Sequence, residues 1–284
     1  MISKLLVAAG AGTYPRLVIE GARRAGVPRV DVLAIKGSTD RATMRAADNV
    51  HAVRLGEIAQ AVRWVGEERY DGVVMAGQIN PLSLFRGGFD AEIRAVLASL
   101  PVKNAHTVYG RLVEMFERVG GRVLPASSYM EDSLPGIGAL TKRGFTDEEA
   151  SDIRRGVQVA VDVGRHDVGQ TVLVKSGMVL AVEAFEGTNA AIRRAGRLGK
   201  GSVLFKAARE GHDMRFDIPV VGLKTLKMMR RARVTALGFQ AGRLILLDRD
   251  EVINFANHHD IAIVGVDSGL PHAPTRPEEG TDPC

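Results

Sequence analysis

The chain has 284 residues, 45% of them apolar and 25% charged, the composition of an ordinary soluble globular protein with room for about two domains. No apolar run is long enough to span a bilayer, and the single cysteine, Cys284, excludes an internal disulfide and a cysteine-based metal site. The net charge of +5 is uneven: from Arg193 to Arg243 thirteen Lys and Arg stand against three acids, so that half attracts anions such as nucleotide phosphates or acidic lipid, while 5% aromatic residues, none interleaved with the basic ones, place nucleic acid last among partners.

The first 120 or so residues alternate strand and helix. Lys4 to Ala8 reads as a strand, Arg16 to Ala25 as a helix and Val30 to Ile35 as a second strand. The opening MISKLLVAAGAG runs straight into a glycine loop, which suits a first strand better than a leader peptide and places the protein in the cytoplasm. A helix over Glu57 to Glu68, a strand over Gly72 to Ala76, and helices over Asp90 to Ser99 and Thr107 to Val119 follow. Short apolar strands alternating with helices predict a parallel sheet covered on both faces. Arg122 to Gly144, with Pro125, Pro135, Gly136 and Gly138, breaks the rhythm and reads as linker or lid.

A second unit begins at Thr146, which makes a capping box with Glu149 and opens a helix with Ile153, Val157 and Ala160 on one face. Thr171 to Val174 and Met178 to Ala184, joined by Ser176-Gly177, predict a hairpin. Thr188 reads as the cap of a helix to about Arg194, followed by a strand over Val203 to Phe205 and a basic helix over Leu223 to Arg233. A strand over Arg243 to Leu247, a helix over Arg249 to Asn257 and a last strand over Ile261 to Val266 complete the pattern, and Gly269 to Cys284 reads as a disordered tail. The fold class is therefore α/β: a Rossmann-like parallel-sheet nucleotide-binding domain over 1–122, a linker over 123–145, and a second, catalytic α/β domain over 146–267.

Four stretches carry chemistry. Ala8 to Pro15, AAGAGTYP, sets Gly10 and Gly12 between strand and helix, where backbone can approach a phosphate. The third glycine of a dinucleotide fingerprint is replaced by Pro15, and the second strand ends at Ile35-Lys36 without the acid that would bind a ribose hydroxyl, which argues against NAD. Met75 to Pro81, MAGQINP, puts Gly77 and Gln78 at the same sheet edge, where an amide can read a base or sugar hydroxyl or simply stabilise its own loop. Arg165 to Gln170 with Val182 to Arg194 brings Gln170 and the run Glu186-Gly187-Thr188 to a helix start, and Glu183 and Glu186 offer oxygens to Mg²⁺. Lys206 to Gly222 sets Asp217 among Lys206 and Arg215 just before a helix. Asp217 can hold a divalent metal or activate water while the cations meet phosphate oxygens, and the same residues also read as a surface ion-pair patch. No histidine pair has zinc-hydrolase spacing, and G-x-S-x-G and P-loop motifs are absent.

In this order the stretches resemble the UDP-2,3-diacylglucosamine pyrophosphatase family of the LpxI type, from lipid A biosynthesis. The resemblance rests on A-G-x-G-x-x-P at Ala9 to Pro15, A-G-x-x-x-P at Ala76 to Pro81 and D-x-G-Q at Asp167 to Gln170. It continues with V-L-A-V-E-A-x-E-G-T at Val179 to Thr188, Arg193-Arg194, Lys206, R-F-D-x-P-x-x-G at Arg215 to Gly222, A-G-R-L-I-L-L-D at Ala241 to Asp248 and G-V-D at Gly265 to Asp267. Val220 stands where the family has threonine. The resemblance implies a Mg²⁺-dependent hydrolase that splits UDP-2,3-diacylglucosamine into UMP and 2,3-diacylglucosamine 1-phosphate, water attacking the sugar-side phosphorus. It also implies a substrate held between two domains, Asp217 as the essential acid that either binds metal or activates the water, and peripheral association with the inner membrane. On the residues, the basic half with the apolar positions of Leu223 to Met229 suits contact with an anionic membrane surface. A homodimer is left open. The competing readings are a nucleotide-cofactor oxidoreductase, prompted by Gly10 and Gly12, and a non-catalytic nucleotide or lipid binder.

Overall fold

Continuous apolar runs of β-branched residues and leucine, too short for helices, form the strands; helices form where apolar residues recur every three or four positions. In a computed structural model, the described residues are 2–78, 94–95, 98–99, 105–208 and 213–267. Readings made above for 79–81, for most of the 90–99 helix, for 209–212 and for the 268–284 tail fall outside them.

The chain divides into two units. The first comprises Met1–Leu134, His212–Val220 and Ile245–Arg249; the second comprises Pro135–Gly211, Val221–Leu244 and Asp250–Cys284. This differs from the boundaries drawn on the sequence. Residues 123–134 are not a linker: Val123 bridges to Val73, Ala126 N–H donates to the Met214 carbonyl, and Ala126 and Met130 are buried in the first core. Asp217 likewise belongs to the first unit, not the second.

In the first unit β1 (Lys4–Ala9), β2 (Arg29–Ile35), β3 (Val50–Val53) and β4 (Gly72–Ala76) form a parallel sheet in the order β3-β2-β1-β4. Helices α1 (Tyr14–Arg24), α2 (Arg41–Ala46), α3 (Ile58–Glu68) and α4 (Ala105–Arg118) accompany it. The strand order reverses between β1 and β4, so the loops after these two strands flank the switch point at which open α/β sheets take ligands. Two apolar clusters form the core, one around Leu5, Val7, Val18 and Ile19, the other around Leu6, Val62, Val73 and Phe116. Ile218 and Ile245, from the two late chain returns, are buried in the first of these. Buried Asp31 accepts from Arg29, Asn49 and Tyr70. Burial opposes its ionisation, but these three donors outweigh it and hold its carboxyl below the usual range.

The second unit has a mixed sheet in the order β5-β12-β10-β8-β6-β7. Its strands are β5 (Gly138–Ala139), β6 (Thr171–Lys175), β7 (Met178–Val182), β8 (Val203–Lys206), β10 (Ala236–Gln240) and β12 (Ala262–Val266). The short strands β9 (Val220–Val221) and β11 (Ile245–Leu246) pair separately. Helices α5 (Asp147–Gly164), α6 (Thr188–Leu198), α7 (Leu223–Ala232) and α8 (Arg249–His258) complete the chain. The capping box forms: Thr146 Oγ1 accepts from Glu149 N–H, and Glu149 Oε2 accepts from Thr146 N–H. Ser176 and Gly177 both have positive φ, 49° and 77°, as a two-residue hairpin turn of the type I′ kind requires. Leu226 and Met229 of α7 are fully buried, so the apolar stripe expected to face a membrane is core instead.

Candidate active site

Register sets the site in the second unit. Thr171 of β6 lies opposite Lys206 of β8, so their side chains share one face of the sheet. Lys206 is 5% exposed. Its Nζ donates to Thr188 Oγ1 at 2.8 Å, and that hydroxyl donates in turn to Glu183 Oε1 at 2.9 Å. Thr171 Oγ1 lies 3.4 Å from the same hydroxyl. A cation, a hydroxyl and a carboxylate thus form a directed chain, in which one threonine hydroxyl fixes where the ammonium points.

Thr188 does not cap its helix. Gly187, with φ 81°, occupies the cap position, and Thr188 is the first helical residue, its hydroxyl given to Lys206 and Glu183. Gln170 borders the group through its carbonyl, which accepts from Ala207 N–H at 3.0 Å. Glu183 Oε2 and Asn189 Oδ1 are buried and have no hydrogen-bond partner among the described residues. A buried carboxylate oxygen left without a donor is costly, about 1–3 kcal/mol, and suits a cation or donor brought by a ligand. Glu186 points to other work: it pairs with Arg194 at 2.7 Å on the surface of α6. Burial opposes its ionisation, but a backbone N–H and Arg194 hold its carboxyl below the usual range.

Asp217 sits in the first unit, in a turn closed by the N–H groups of Phe216 and Asp217 donating to the Asp213 carbonyl. Neighbours on both sides anchor it. The Phe216 ring stacks on Tyr109 with centroids 5.8 Å apart, and Ile218 is buried. Asp217 itself is half-buried. Arg215, read as its cationic neighbour, gives its guanidinium to two other acids: Nη2 to Asp213 at 2.7 Å and Nη1 to Glu117 at 2.6 Å. The hydrogen bonds it donates, to Asp213 first and then to Glu117, raise its pKa further above the usual value. Arg215 therefore ties the Asp217 turn to α4.

The glycine loops of the first unit meet each other. Ala11 and Gln78 exchange backbone hydrogen bonds at 2.8 and 3.0 Å, and a methyl group on Gly10 would come within 2.6 Å of the Gln78 carbonyl oxygen. Gly77, with φ 90°, would likewise drive a side chain to 2.8 Å from the Ala11 carbonyl. These two glycines serve a close approach of two loops. Gly12 N–H donates to Asp40 Oδ2 at 2.9 Å, and Thr13 donates to Asp248 Oδ2 at 3.2 Å. The amide expected to face a phosphate is thus answered by a carboxylate of the chain itself.

Among the described residues no group of three or more His, Cys, Asp or Glu could hold a metal ion. A metal caged wholly by these side chains does not fit. Mg²⁺ held by one carboxylate and by substrate phosphates fits, since that ion keeps several waters and takes few protein ligands.

Comparison with known proteins decides the family. A model of the LpxI N-terminal domain matches residues 4–133, and one of the LpxI C-terminal domain matches residues 136–264. The chain belongs to the LpxI family. The division between the two LpxI models, after residue 133, falls at the end of the first long stretch of unit one. UDP-2,3-diacylglucosamine pyrophosphatase LpxI of Caulobacter vibrioides is 31% identical over 278 residues, covering 93% of this chain and 98% of that protein. Among solved structures, the biotin carboxylase subunit of pyruvate carboxylase is 14% identical, covering 66% of this chain and 39% of its own, with a TM-score of 0.28. Biotin carboxylase from Campylobacter jejuni is 13% identical, covering 69% and 42%, with a TM-score of 0.29. Likenesses this slight carry no argument about the LpxI fold or its chemistry.

Proposed function

We propose that the chain hydrolyses the pyrophosphate bond of UDP-2,3-diacylglucosamine, releasing UMP and 2,3-diacylglucosamine 1-phosphate for lipid A synthesis. LpxI membership across both halves carries this reading, and the buried Lys206–Thr188–Glu183 chain supports it from the chemistry. A buried ammonium fixed by a hydroxyl is a preset counter-charge for phosphoryl oxygens. Water attacks the sugar-linked phosphorus; the new P–O bond forms as the bridging P–O bond breaks, and UMP leaves with the electron pair.

In this scheme Asp217 serves the attacking water by taking its proton, or would be the carboxylate that holds a divalent cation beside it. Mg²⁺, when bound, offsets the charge that builds on the phosphoryl oxygens. Lys206 orients a phosphate, Thr188 and Glu183 hold Lys206, and Gln170 and Gly187 line the same corner of the second unit. Gly10, Gly12, Gly77 and Gln78 shape the nucleotide-side loops, and Arg215 keeps the Asp217 turn in place. The protein works in the cytoplasm, at the face of the membrane that holds its acylated substrate.

The test supplies UDP-2,3-diacylglucosamine in neutral detergent micelles, with Mg²⁺ or with EDTA, in ¹⁸O-water. UMP is expected only with Mg²⁺, with the label in 2,3-diacylglucosamine 1-phosphate. Asp217→Asn is expected to lower turnover by a factor of about 100 or more. A wild-type chain that releases no UMP ends this reading; label in UMP overturns the point of attack.

A further inference from the structure

Helices α6 and α7 of the second unit lie against each other: a methyl group on Gly196 would meet the Ala232 Cβ at 2.7 Å. Neither helix contains an acid; their sequences are TNAAIRRAGRL and LKTLKMMRRA. Their outward positions carry cations at like-charge spacings, Arg193 with Arg197 and Lys227 with Arg231 four residues apart, Lys224 with Lys227 three apart. Such pairs destabilise a helix, and cations near an N-terminus, as Lys224 is, oppose its dipole. Within these two helices only Arg194 is recorded in an ion pair among the described residues, with Glu186. Ordinary solvated helices of this chain are built otherwise, with Arg16–Glu20 on α1 and Arg111–Glu114 on α4.

Apolar groups stand at the rim of this basic face. Leu198, the last residue of α6, is 65% exposed and Met178, the first of β7, is 64% exposed. The end of α6 approaches β7 and the hairpin that leads into it. A side chain on Gly199 would touch Leu180 of β7 at 3.1 Å, and one on Gly201 would lie 3.6 Å from Lys175 Nζ. β7 is the edge strand of its sheet.

We infer that the α6–α7 face of the second unit docks on an anionic lipid bilayer, its cations over acidic headgroups and Leu198 and Met178 entering the interface. Charge complementarity selects the partner: a stable excess of one sign, kept at a cost to both helices, meets a surface of the other sign. The exposed leucine and methionine favour lipid over nucleic acid, because neither helix carries an aromatic side chain on which a base would stack. The inference deepens the proposed function, since it names where a chain acting on an acylated substrate meets the bilayer.

Co-sedimentation of the full chain with phosphatidylcholine vesicles, with and without about one third phosphatidylglycerol, tests it. Binding is expected only to the acidic vesicles and is expected to fall in high salt. The triple variant Arg197→Glu, Lys227→Glu, Arg231→Glu is expected to lose more than about tenfold in partitioning. Leu198→Ser is expected to lose a few-fold at unchanged charge. The milder Arg197→Gln, Lys227→Gln variant, checked for an unchanged melting temperature, separates lost binding from lost folding. Equal binding to neutral vesicles, wild-type partitioning by the triple variant, or saturable binding to single-stranded RNA in place of acidic vesicles overturns the inference. Hydrolysis in neutral micelles distinguishes the two readings: it is expected to stay within about twofold in the charge variants. Its absence in the wild-type chain counts against the proposed reaction, whereas its persistence with no vesicle binding counts against this face alone.

Discussion

Two strand-to-helix loops of this chain look alike in sequence and are built for opposite ends. The loop after β1, Gly10 to Thr13, turns inward. Gly10 packs on the Gln78 carbonyl, Gly12 N–H is held by Asp40, and Thr13 is held by Asp248. The loop after β7, Glu183 to Thr188, keeps its polar groups in a line from a buried cation to a carboxylate with one oxygen unmatched. Glycine before a helix is therefore an incomplete signal for a phosphate site. The partners of the adjacent donors decide whether the loop is closed on its own carboxylates or set towards a ligand.

The largest expected effect sharpens the second loop. Lys206→Ala removes the preset counter-charge and is expected to lower kcat/KM for UMP release by about 10²–10³ in the folded fraction, and to lower the melting temperature as well, because buried Glu183 and Thr188 lose their cation. Loss of folding alone, with full activity in the folded fraction, would assign Lys206 to structure. On the first loop, Gly10→Ala is expected to destabilise the chain by about 1–3 kcal/mol in urea titration, because the neighbour it strikes is backbone and cannot rotate away. An unaffected midpoint would break the contrast between the loops. Glu183→Gln keeps the shape while weakening the acceptor of Thr188, and is expected to cost about tenfold in kcat with KM nearly unchanged. The smallest effect belongs to Asp40→Asn. It removes a charge from an exposed amide contact and is expected to cost under about 1 kcal/mol, with UMP release near wild type. A rise in nucleotide affinity in this variant would show that Asp40 masks a phosphate position.

Much of the fold was legible because its signals are local. Gly72 to Ala76 is the strand read from its apolar run, and Thr146 with Glu149 forms the box read from its spacing. The failures are physical as well. Arg41–Ala46 and Val50–Val53 are too short for a period to declare itself. The inner strand Ala236–Gln240 carries Gly238, which weakens a strand signal; the structure uses it because a side chain there would meet Ile153 of α5 at 2.7 Å. In the site, sequence singled out Lys206 and Thr188 and gave Glu183 a metal-ligand role only. What joins the three is the pairing of β6 with β8, which no linear spacing displays. Arg215 was read beside Asp217 because they are two residues apart, whereas its partners are Asp213 and, far away in sequence, Glu117.

The late returns of the chain to its first unit bear on synthesis. A ribosome that has released residues up to 134 has delivered every strand of the first sheet, yet neither Ile218 nor Ile245, both of which fill that unit's interior. The first unit thus lacks part of its core until about residue 249 has emerged, and no single cut in the chain yields either unit whole.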